Sequence, residues 1–261
     1  MSAVNTPPCS DTWRTRLAAL RGIVRSLVIY RRPGRQRRLR RMYASLVRPG
    51  DLVFDIGAHL GDRTRAFASL GAQVVALEPQ PQLLAWLRRG PGRLDRVRVR
   101  HEAVGGRSGL ATLYLSRAHP TVSTLSSHWV TRLSETNDSF RSVRWEDRIS
   151  VRQITLDELI AEHGRPDFCK IDVEGFELEV LRGLSIPIPA LSLEFVAGAL
   201  DIPHACLQRL TALGDYEYNV VAGEQRHFRF DPWQDAPTLL AWLEQHAARV
   251  GSGDLYARLR A

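Results

Sequence analysis

The amino-acid sequence predicts an α/β fold in which a largely parallel sheet carries helices on both faces. From Pro49 onward, short apolar runs alternate with segments of helical periodicity, and turns rich in glycine separate many of them. Strands that alternate with helices favour parallel pairing, because a helix is the usual crossover between parallel strands. The chain has 261 residues, of which 44% are hydrophobic, and this suits one such domain with appendages.

The predicted elements are closely spaced up to residue 115 and resume after a polar stretch. Strands are predicted at 51–56, 73–78, 97–104, 109–115, 149–154, 167–173 and 190–195. Helices are predicted at 61–70, 79–89, 155–163, 175–182 and 203–213. The segments "YEYNVV" and "RHFRF", at 216–221 and 226–230, predict a terminal antiparallel hairpin joined at Gly223-Glu224. Ligands of such sheets bind beyond the carboxyl ends of the parallel strands.

The positive charge of the chain is concentrated near its N-terminus. The net charge is +8, yet residues 12–48 contain twelve arginines and no acidic residue, so the rest of the chain is mildly acidic. This distribution disfavours nucleic acid as a partner of the globular body. Residues 12–31 predict a helix, and residues 31–41 predict either a linker or the start of a second polar helix, interrupted by Pro33-Gly34.

We therefore divide the chain into a basic helical extension, residues 1–44, and a globular domain, residues 45–261. The extension is expected to cap the domain, and the alternative is contact of residues 12–41 with an anionic membrane surface or a partner. No apolar run in the sequence is long enough to span a membrane. The three cysteines show no paired spacing, which predicts reduced thiols and a cytoplasmic location. The sequence does not indicate an oligomeric state.

A charged residue and two glycines directly follow the first predicted strand. In "LVFDIGAHLG", Asp55 lies at the carboxyl end of the strand, and Gly57 and Gly61 permit a sharp turn and a close ligand approach. The amides that open the next helix favour a carboxylate, whereas Asp55 favours an ammonium group. Together they suit a ligand that resembles an amino acid. The alternative is a plain strand–turn–helix unit with surface acids.

A second acid follows the next strand, at the place where an acid can bind both hydroxyls of a ribose. Glu78 lies about twenty residues beyond the first glycine of the turn. A ribose joined to an amino-acid moiety describes S-adenosylmethionine. A dinucleotide site would instead show the spacing G-x-G-x-x-G, which this turn lacks, and a nicotinamide dehydrogenase is therefore disfavoured.

At this point the sequence resembles the FkbM family of S-adenosylmethionine-dependent methyltransferases. The resemblance covers residues 45–197 and rests on "PGDLVFDIGAHLGDRTRAFASLGAQVVALEP", "HEAVG", "FCKIDVEGFELEVLRGL" and "LSLEF". It implies a class I methyltransferase fold, Rossmann-like, with a seven-stranded, mostly parallel sheet that ends in an antiparallel hairpin. It implies O-methylation of a hydroxyl on a sugar, a glycolipid or a polyketide-type product. The residues that it implies for the cofactor are Asp55, Gly57, Ala58, His59 and Gly61 for methionine, Glu78 for ribose, and Ala103 and Val104 for adenine.

The motif "KIDVEG" supplies the predicted catalytic residues. Lys170, the only lysine of the chain, and Asp172 share one strand face, and Asp172 falls at the carboxyl end of that strand. We expect Asp172 or Glu174 to orient or deprotonate the acceptor hydroxyl. The alternatives are that Asp172 only supports the cofactor and that Glu174 only caps the next helix. Lys170 is expected to orient Asp172 or Glu194.

Two further features of the sequence leave alternatives open. Asp172, Glu174 and Glu194 could coordinate magnesium, but no ligand spacing demands it, and we expect no metal. Residues 116–147 are predicted to form a lid or acceptor loop, in which Trp129 and Trp145 could stack on a sugar; an ordinary surface excursion is the alternative. The alternative functions are methylation of RNA or protein with the help of the basic segment, and a non-catalytic scaffold that binds the cofactor.

Overall fold

The computed structural model describes residues 34–136, 141, 143–223 and 225–260. A seven-stranded sheet organises this part of the chain, in the order β3-β2-β1-β7-β8-β10-β9. Its strands are β1 (Leu52–Ile56), β2 (Gln73–Leu77), β3 (Val97–Arg100), β7 (Phe168–Ile171), β8 (Ala190–Val196), β9 (Tyr216–Ala222) and β10 (Ser252–Leu259). The predicted helix at 12–31 lies outside the described residues.

The centre of the sheet is parallel, as predicted. β1 pairs in parallel with β2 on one side and with β7 on the other, and β7 continues the parallel order to β8. Successive residues of β1 enter different cores: Val53 packs into one hydrophobic cluster and Phe54 into another, on opposite faces. Both faces of the central strands are therefore buried, which explains their nearly continuous apolar sequence.

The last two strands of the sheet are antiparallel, but the predicted hairpin is wrong in its second strand. β10 pairs antiparallel with both β8 and β9 and thus lies between them. The segment 226–230 forms no strand; it runs beside β9 and donates one backbone hydrogen bond, from Arg229 to Val220. A helix and β10 follow it, and the sequence analysis assigned neither. The alternation of "RHFRF" resembles that of a strand. The partner of β9 is nevertheless β10, at Ser252–Leu259, which is longer and largely buried.

Residues 97–104 do not form the single strand that their alternation predicts. The first part is β3, at the edge of the large sheet, and the second is β4 (Ala103–Val104). β4 joins a separate three-stranded sheet with β5 (Gly109–Leu115) and β6 (Asp147–Ile154), in the order β4-β6-β5. Between the two parts, the chain leaves one sheet and enters the other.

Helices cover both faces of the large sheet. They are α1 (Arg35–Tyr43), α2 (Asp62–Ser69), α3 (Pro81–Arg89), α4 (Ser127–Thr136), α5 (Leu156–His163), α6 (Glu177–Arg182), α7 (Asp201–Leu213) and α8 (Ala236–Val250). α1 confirms the second of the two predictions for residues 31–41, a polar helix that begins after Pro33-Gly34. Leu39, Met42 and Tyr43 of α1 are buried in the core beside β1 and β2. Within the described ranges, each helix is too short or too polar to cross a bilayer.

Candidate functional site

A cavity opens where β1, β2 and β7 end, at the edge of the sheet that the sequence predicts for ligands. It encloses about 1020 Å³ of space, part of it open to solvent. Two loops form its floor: the β1 loop, residues 57–61, and the β7 loop, residues 172–176. Of the predicted site residues, the cavity wall contains Gly57, His59, Glu78, Ala103, Val104, Asp172 and Glu174. Asp55, Ala58, Gly61 and Lys170 lie behind this wall.

The β1 loop turns sharply because glycine occupies its first position. Gly57 has a φ of 74°, and a Cβ atom there would lie 1.9 Å from the carbonyl oxygen of Asp172. The amides of Gly57 and Ala58 both donate to the carbonyl oxygen of Leu77, at 3.1 and 2.9 Å. The loop is therefore pressed against the β7 loop on one side and bound to the end of β2 on the other, which leaves no room for a side chain.

Gly61 and Ala58 shape the loop without reaching the cavity. Gly61 has a φ of 80°, and a Cβ atom there would lie 2.6 Å from both Leu87 and Pro91. This glycine lets α3 and the following turn approach the start of α2. Ala58 is buried in the core between them. Their predicted contact with the cofactor stays a prediction, and the structure gives both a packing role.

Glu78 lies at the cavity with its carboxylate fixed in place. Its Oε2 accepts a hydrogen bond from the amide of His59 at 2.8 Å, and its Oε1 accepts one from the amide of Gln80 at 2.9 Å. Burial raises the pKa of Glu78 to about 7, although the two amides act in the opposite direction. Burial also lowers the pKa of His59 to about 4, so the imidazole is neutral at pH 7.

Asp55 lies beneath the cavity and forms part of a buried chain of charges. Its side chain is 0% exposed; Oδ2 accepts a hydrogen bond from Thr64 at 2.5 Å, and Oδ1 lies 3.6 Å from Nζ of Lys170. Lys170, which is 3% exposed, also lies 3.0 Å from Asp172 and donates to the carbonyl oxygen of Gly57 at 3.1 Å. Lys170 thus positions Asp172, one of the two partners predicted for it. The predicted contact of Asp55 with the amino group of the cofactor stays a prediction.

The β7 loop is held in an unusual backbone conformation by a residue that the sequence analysis missed. Glu174 has a φ of 56° and Gly175 one of 84°. Oε1 of Glu177 accepts hydrogen bonds from the amides of Val173 and Gly175, at 3.1 and 3.3 Å. Burial raises the pKa of Glu177 to about 7. An acid at the first position of the helix that follows Gly175 was the signal available in the sequence, because acids there accept hydrogen bonds from free amides.

Three acids converge beside the β7 loop. Carboxylate oxygens of Asp172, Glu174 and Glu194 all lie within 4.8 Å of one another. Burial and the neighbouring acids raise the pKa of Glu174 and of Glu194 well above the ordinary range. Burial alone would raise the pKa of Asp172 as well, but the charges of Lys170 and Arg63 lower it overall. The cluster thus combines one carboxyl whose pKa is lowered, Asp172, with two whose pKa is raised, Glu174 and Glu194.

Arg63 joins this cluster to the last strand. Its Nη2 lies 3.3 Å from Asp254 of β10, and its Nη1 lies 3.9 Å from Asp172. Because β10 is antiparallel, its first residues reach the edge at which the parallel strands end, and Asp254 pairs in register with Glu194. No element was predicted for residues 231–261, so Asp254 was not among the predicted site residues.

The opposite end of the cavity is apolar. Ala103 and Val104 line it together with Leu77, Leu83 and Leu113. Ala103 and Val104 thus face the cavity, and their predicted contact with adenine stays a prediction. Pro120 and Leu125 close this end from the segment that follows β5.

The described residues between 116 and 147 contribute a cover to the cavity, but one predicted sugar-stacking residue, Trp129, is wrong. Thr124 donates a hydrogen bond to the carbonyl oxygen of Glu174 at 2.7 Å, and Ser123 donates one to Gln80 at 2.9 Å. Trp129, in α4, is 4% exposed, because its ring packs on Gly175 and on Val196 and Ala199. Its ring therefore anchors the cover and does not present a face to a ligand. Trp145 is half-buried, and its indole donates to Val122 at 2.8 Å.

Comparison with known proteins relates this chain to methyltransferases. The Methyltransferase FkbM domain matches residues 55–250. The chain is 30% identical to 2-O-methyltransferase NoeI of Sinorhizobium fredii, over 59% of this chain and 65% of that protein. It is 30% identical to 31-O-demethyl-FK506 methyltransferase FkbM of Streptomyces tacrolimicus, over 70% of this chain and 78% of that protein. It is 26% identical to hexuronic acid methyltransferase AglP of Haloferax volcanii, over 56% of this chain and 55% of that protein.

The family match covers the loops, strands and acids described above. It begins at Asp55 and extends through α8, so that it includes both loops of the cavity floor, the cover and the acidic cluster. The seven-stranded, mostly parallel sheet with antiparallel last strands agrees with the fold that the resemblance implies. The chain therefore belongs to the FkbM family of S-adenosylmethionine-dependent methyltransferases.

Proposed function

We propose that this chain transfers a methyl group from S-adenosylmethionine to a hydroxyl group of a sugar or of a polyketide-type small molecule. The observation that carries the proposal is the composition of the cavity. A fixed carboxylate, Glu78, lies at the end of β2, an apolar end contains Ala103 and Val104, and an acidic cluster lies at the end of β7. These are the surroundings that a diol, an adenine ring and a cation require.

The residues present fit the cofactor. Glu78 is oriented by two backbone amides, so its remaining lone pairs are directed in advance toward the hydroxyls of a ribose. The ionised Asp172 and the acids around it favour a positively charged ligand over a neutral one. When bound, S-adenosylmethionine supplies a methyl group on a positively charged sulfur, which leaves as a neutral thioether.

The names of the relatives support a hydroxyl acceptor. Two of them specify methylation at oxygen, and one names a hexuronic acid. The match to NoeI spans 65% of that protein, and the match to AglP spans 55%. In the site of this chain, Thr124 and the acidic cluster bound the end of the cavity that lies opposite Ala103 and Val104.

The two acids of the β7 loop divide the work of proton transfer. Asp172 is ionised and held by Lys170, which suits it to orient a hydroxyl. Glu174 lines the cavity and has a raised pKa, so its carboxylate is the stronger base of the two. In its ionised form, Glu174 would accept the proton of an acceptor hydroxyl aligned with the methyl group of the bound cofactor. The main contribution of the site is alignment of the two reacting atoms.

The first test measures the cofactor and the acceptor separately. Calorimetry with S-adenosylhomocysteine is expected to show binding, and labelled S-adenosylmethionine is expected to transfer its methyl group to members of a panel of glycosides and macrolactones. The same acceptors with the target hydroxyl already methylated are the control. No binding of S-adenosylhomocysteine would overturn the proposal, and binding without transfer would favour the scaffold. Transfer to RNA instead would favour RNA methylation, with the basic N-terminal segment binding the substrate. Activity is expected to survive a chelator, since no metal is expected.

The second test assigns the base. We expect Glu174→Gln to lower kcat at least tenfold at saturating cofactor and to remove the acidic limb of the pH–rate profile. The control is Glu244→Gln, because Glu244 is 63% exposed and lies on α8, away from the cavity. An unchanged pH–rate profile in Glu174→Gln would exclude the side chain of Glu174 as the base. Only its backbone would then contribute to the site.

A further inference from the structure

We propose that the outer face of α1, α2 and α3 binds the surface of an anionic membrane. We call this surface the basic face, and it consists of the exposed arginines of the three helices: Arg37, Arg38, Arg40, Arg41, Arg65, Arg88 and Arg89. For residues 12–41 the sequence already offers such a contact as an alternative. The structure adds α2 and α3, which belong to the globular domain. The proposal does not depend on the proposed methyl transfer.

The three helices form one layer on a single side of the large sheet. α2 connects β1 to β2, and α3 connects β2 to β3. Because crossovers between parallel strands have one hand, both helices lie on the same side of the sheet. α1 packs against α2, and Leu39 of α1, Phe67 of α2 and Leu87 of α3 share one hydrophobic cluster. The exposed arginines therefore extend from one layer into solvent.

The charge of this layer is reversed on the other side of the sheet. α1, α2 and α3 contain nine arginines and one acid, Asp62, which is buried. The helices α5 to α8 pack into the opposite cluster and contain seven acids and three arginines. A general preference of this sequence for arginine would enrich both layers alike. The difference between the two layers therefore indicates that one side of the molecule faces an anionic partner.

The arginines of the basic face are available to such a partner. Within the part of the chain that the structure describes, none of the seven forms an ion pair with an acid, and no exposed acid lies on α1, α2 or α3. By contrast, Arg63 of α2 is engaged by Asp172 and Asp254 and is not part of this surface. Seven uncompensated charges on one face create a positive potential that attracts phosphate and carboxylate headgroups.

Two exposed apolar side chains accompany these arginines. Trp86 of α3 is 38% exposed, and Leu94, which follows α3 after a short turn, is 39% exposed. Trp86 lies three residues before Arg89 and therefore on the same side of the helix. Tryptophan suits the boundary between headgroups and acyl chains, because its ring is apolar and its N–H is polar. A helical surface that combines arginine with such groups is typical of contact with an anionic membrane.

Nucleic acid is also a polyanion, but the cavity disfavours it as the partner. α1 begins beside the cavity, since its first residue, Arg35, is part of the wall. An RNA bound to the basic face would have to bring the phosphates beside its target hydroxyl past the acids of this wall, which repel them: Glu78, Glu102, Asp172, Glu174 and Glu194. A membrane binds the outer face of the helices and does not enter the cavity.

The first experiment measures binding of the full chain to vesicles of stated composition. Vesicles of phosphatidylcholine that contain about one third phosphatidylserine are compared with phosphatidylcholine alone by co-sedimentation. We expect binding at least tenfold tighter to the anionic vesicles. Raising the salt concentration from about 0.1 M to about 0.5 M is expected to weaken it at least tenfold, because salt screens exposed charges. Equal binding to the two kinds of vesicle, or binding to neither, would overturn the proposal.

The second experiment assigns the contact to the globular domain. The test variant changes only α2 and α3 and combines Arg65→Gln, Arg88→Gln and Arg89→Gln. We expect it to bind anionic vesicles at least tenfold more weakly, because each arginine near an anionic surface contributes to binding. Unchanged binding would leave residues 12–41 as the contact and would overturn the basic face.

A matched control removes the same charge from the other side of the molecule. It combines three substitutions of exposed residues on or next to the opposite layer of helices: Arg165→Gln, Arg182→Gln and Arg249→Gln. We expect its binding to anionic vesicles to change less than threefold. Equal losses in the test variant and the control would show a response to net charge alone and would overturn the proposal.

The remaining measurements distinguish the membrane from RNA and from misfolding. Tighter binding of the parent to a single-stranded RNA than to anionic vesicles, at equal phosphate concentration, would overturn the proposal. Chemical denaturation is expected to give similar stabilities for the parent and both variants, because the substituted side chains are exposed. The vesicle comparison on the parent needs no variant. It also needs no cofactor, so it can fail while S-adenosylhomocysteine still binds, and the reverse holds as well.

Discussion

The two loops of the cavity floor are built alike but are held in place differently. Each follows a parallel strand, and each contains one residue other than glycine with a positive φ: His59, at 53°, in the β1 loop and Glu174, at 56°, in the β7 loop. Such conformations cost free energy and persist only where neighbouring groups determine them. The neighbours are what distinguish the two loops.

The β1 loop is fixed mainly through its backbone, and one side chain, that of Lys170, donates to the carbonyl oxygen of Gly57. Its amides bond to Leu77 and to Glu78, both at the end of β2. The β7 loop is fixed by side chains from other segments: the carboxylate of Glu177, the hydroxyl of Thr124 and the ring of Trp129. We infer that the cofactor end of the cavity is preformed, whereas the acceptor end depends on the cover at 116–147. The following predictions test this difference.

The largest effect is expected for Gly57→Ala in the β1 loop. A Cβ atom there would lie 1.9 Å from the backbone of Asp172, and a φ of 74° is unfavourable for alanine. We expect the free energy of unfolding to fall by about 3 kcal/mol and binding of S-adenosylhomocysteine to be lost. Chemical denaturation and calorimetry measure the two effects. Gly50→Ala is the control, because Gly50 has a φ of 92° but open space around it, and only the backbone cost, about 1 kcal/mol, is expected. Equal losses in both variants would contradict the close approach of the two loops.

A smaller effect, confined to the acceptor end, is expected for Gly175→Ala. The new Cβ atom would lie 2.1 Å from the ring of Trp129, which can move together with α4. We expect a loss of about 2 kcal/mol in stability, a fall of at least tenfold in kcat and a change below threefold in the affinity for S-adenosylhomocysteine. A parallel loss of cofactor affinity and turnover would show that the loops are not independent.

For Glu177→Gln, the expected effect is a change in the pH dependence of stability rather than a loss at one pH. The folded-state pKa of Glu177 is about 7, above its ordinary value of 4.5, so the folded protein binds a proton there more tightly than the unfolded chain does. This contribution to stability is complete below pH 4.5 and is lost as the pH rises toward 7. Relative to the variant, the parent should lose up to about 1 kcal/mol per pH unit in this window. Denaturation curves between pH 4.5 and 7.5 measure the difference, with Glu244→Gln as the control. Parallel profiles for the parent and Glu177→Gln would contradict the raised pKa.

The sequence was sufficient to predict the parallel centre of the fold and the edge of the sheet at which Glu78 and Asp172 lie. β1, β2 and β7 are buried on both faces, and such strands have a recognisable apolar pattern. Glu78 and Asp172 could be assigned to the same edge of the sheet. Each directly follows a strand, and the carboxyl ends of parallel strands all lie at that edge. These predictions depend only on local pattern and on the direction of the strands.

The parts that were mispredicted depend on which segments pair over long distances. "RHFRF" alternates like a strand, but the strand that pairs with β9 is β10, which begins at Ser252. Trp129 lies in a polar stretch, and nothing local indicates that Gly175 leaves a space for its ring. Asp254 and Arg35 lie far in sequence from the motifs of the family and reach the cavity region only through the tertiary fold.

The position of β10 inside the sheet has a consequence for the order of folding. β10 forms hydrogen bonds with β8 on one side and with β9 on the other, and it is made after both of them. Until it inserts, both neighbours present open edges, and β9 has no place in the sheet. During synthesis, α8 and β10 must therefore leave the ribosome before β9 can join the other strands in one sheet. Until then, the open edges of the nascent chain are exposed to mispairing and to chaperones.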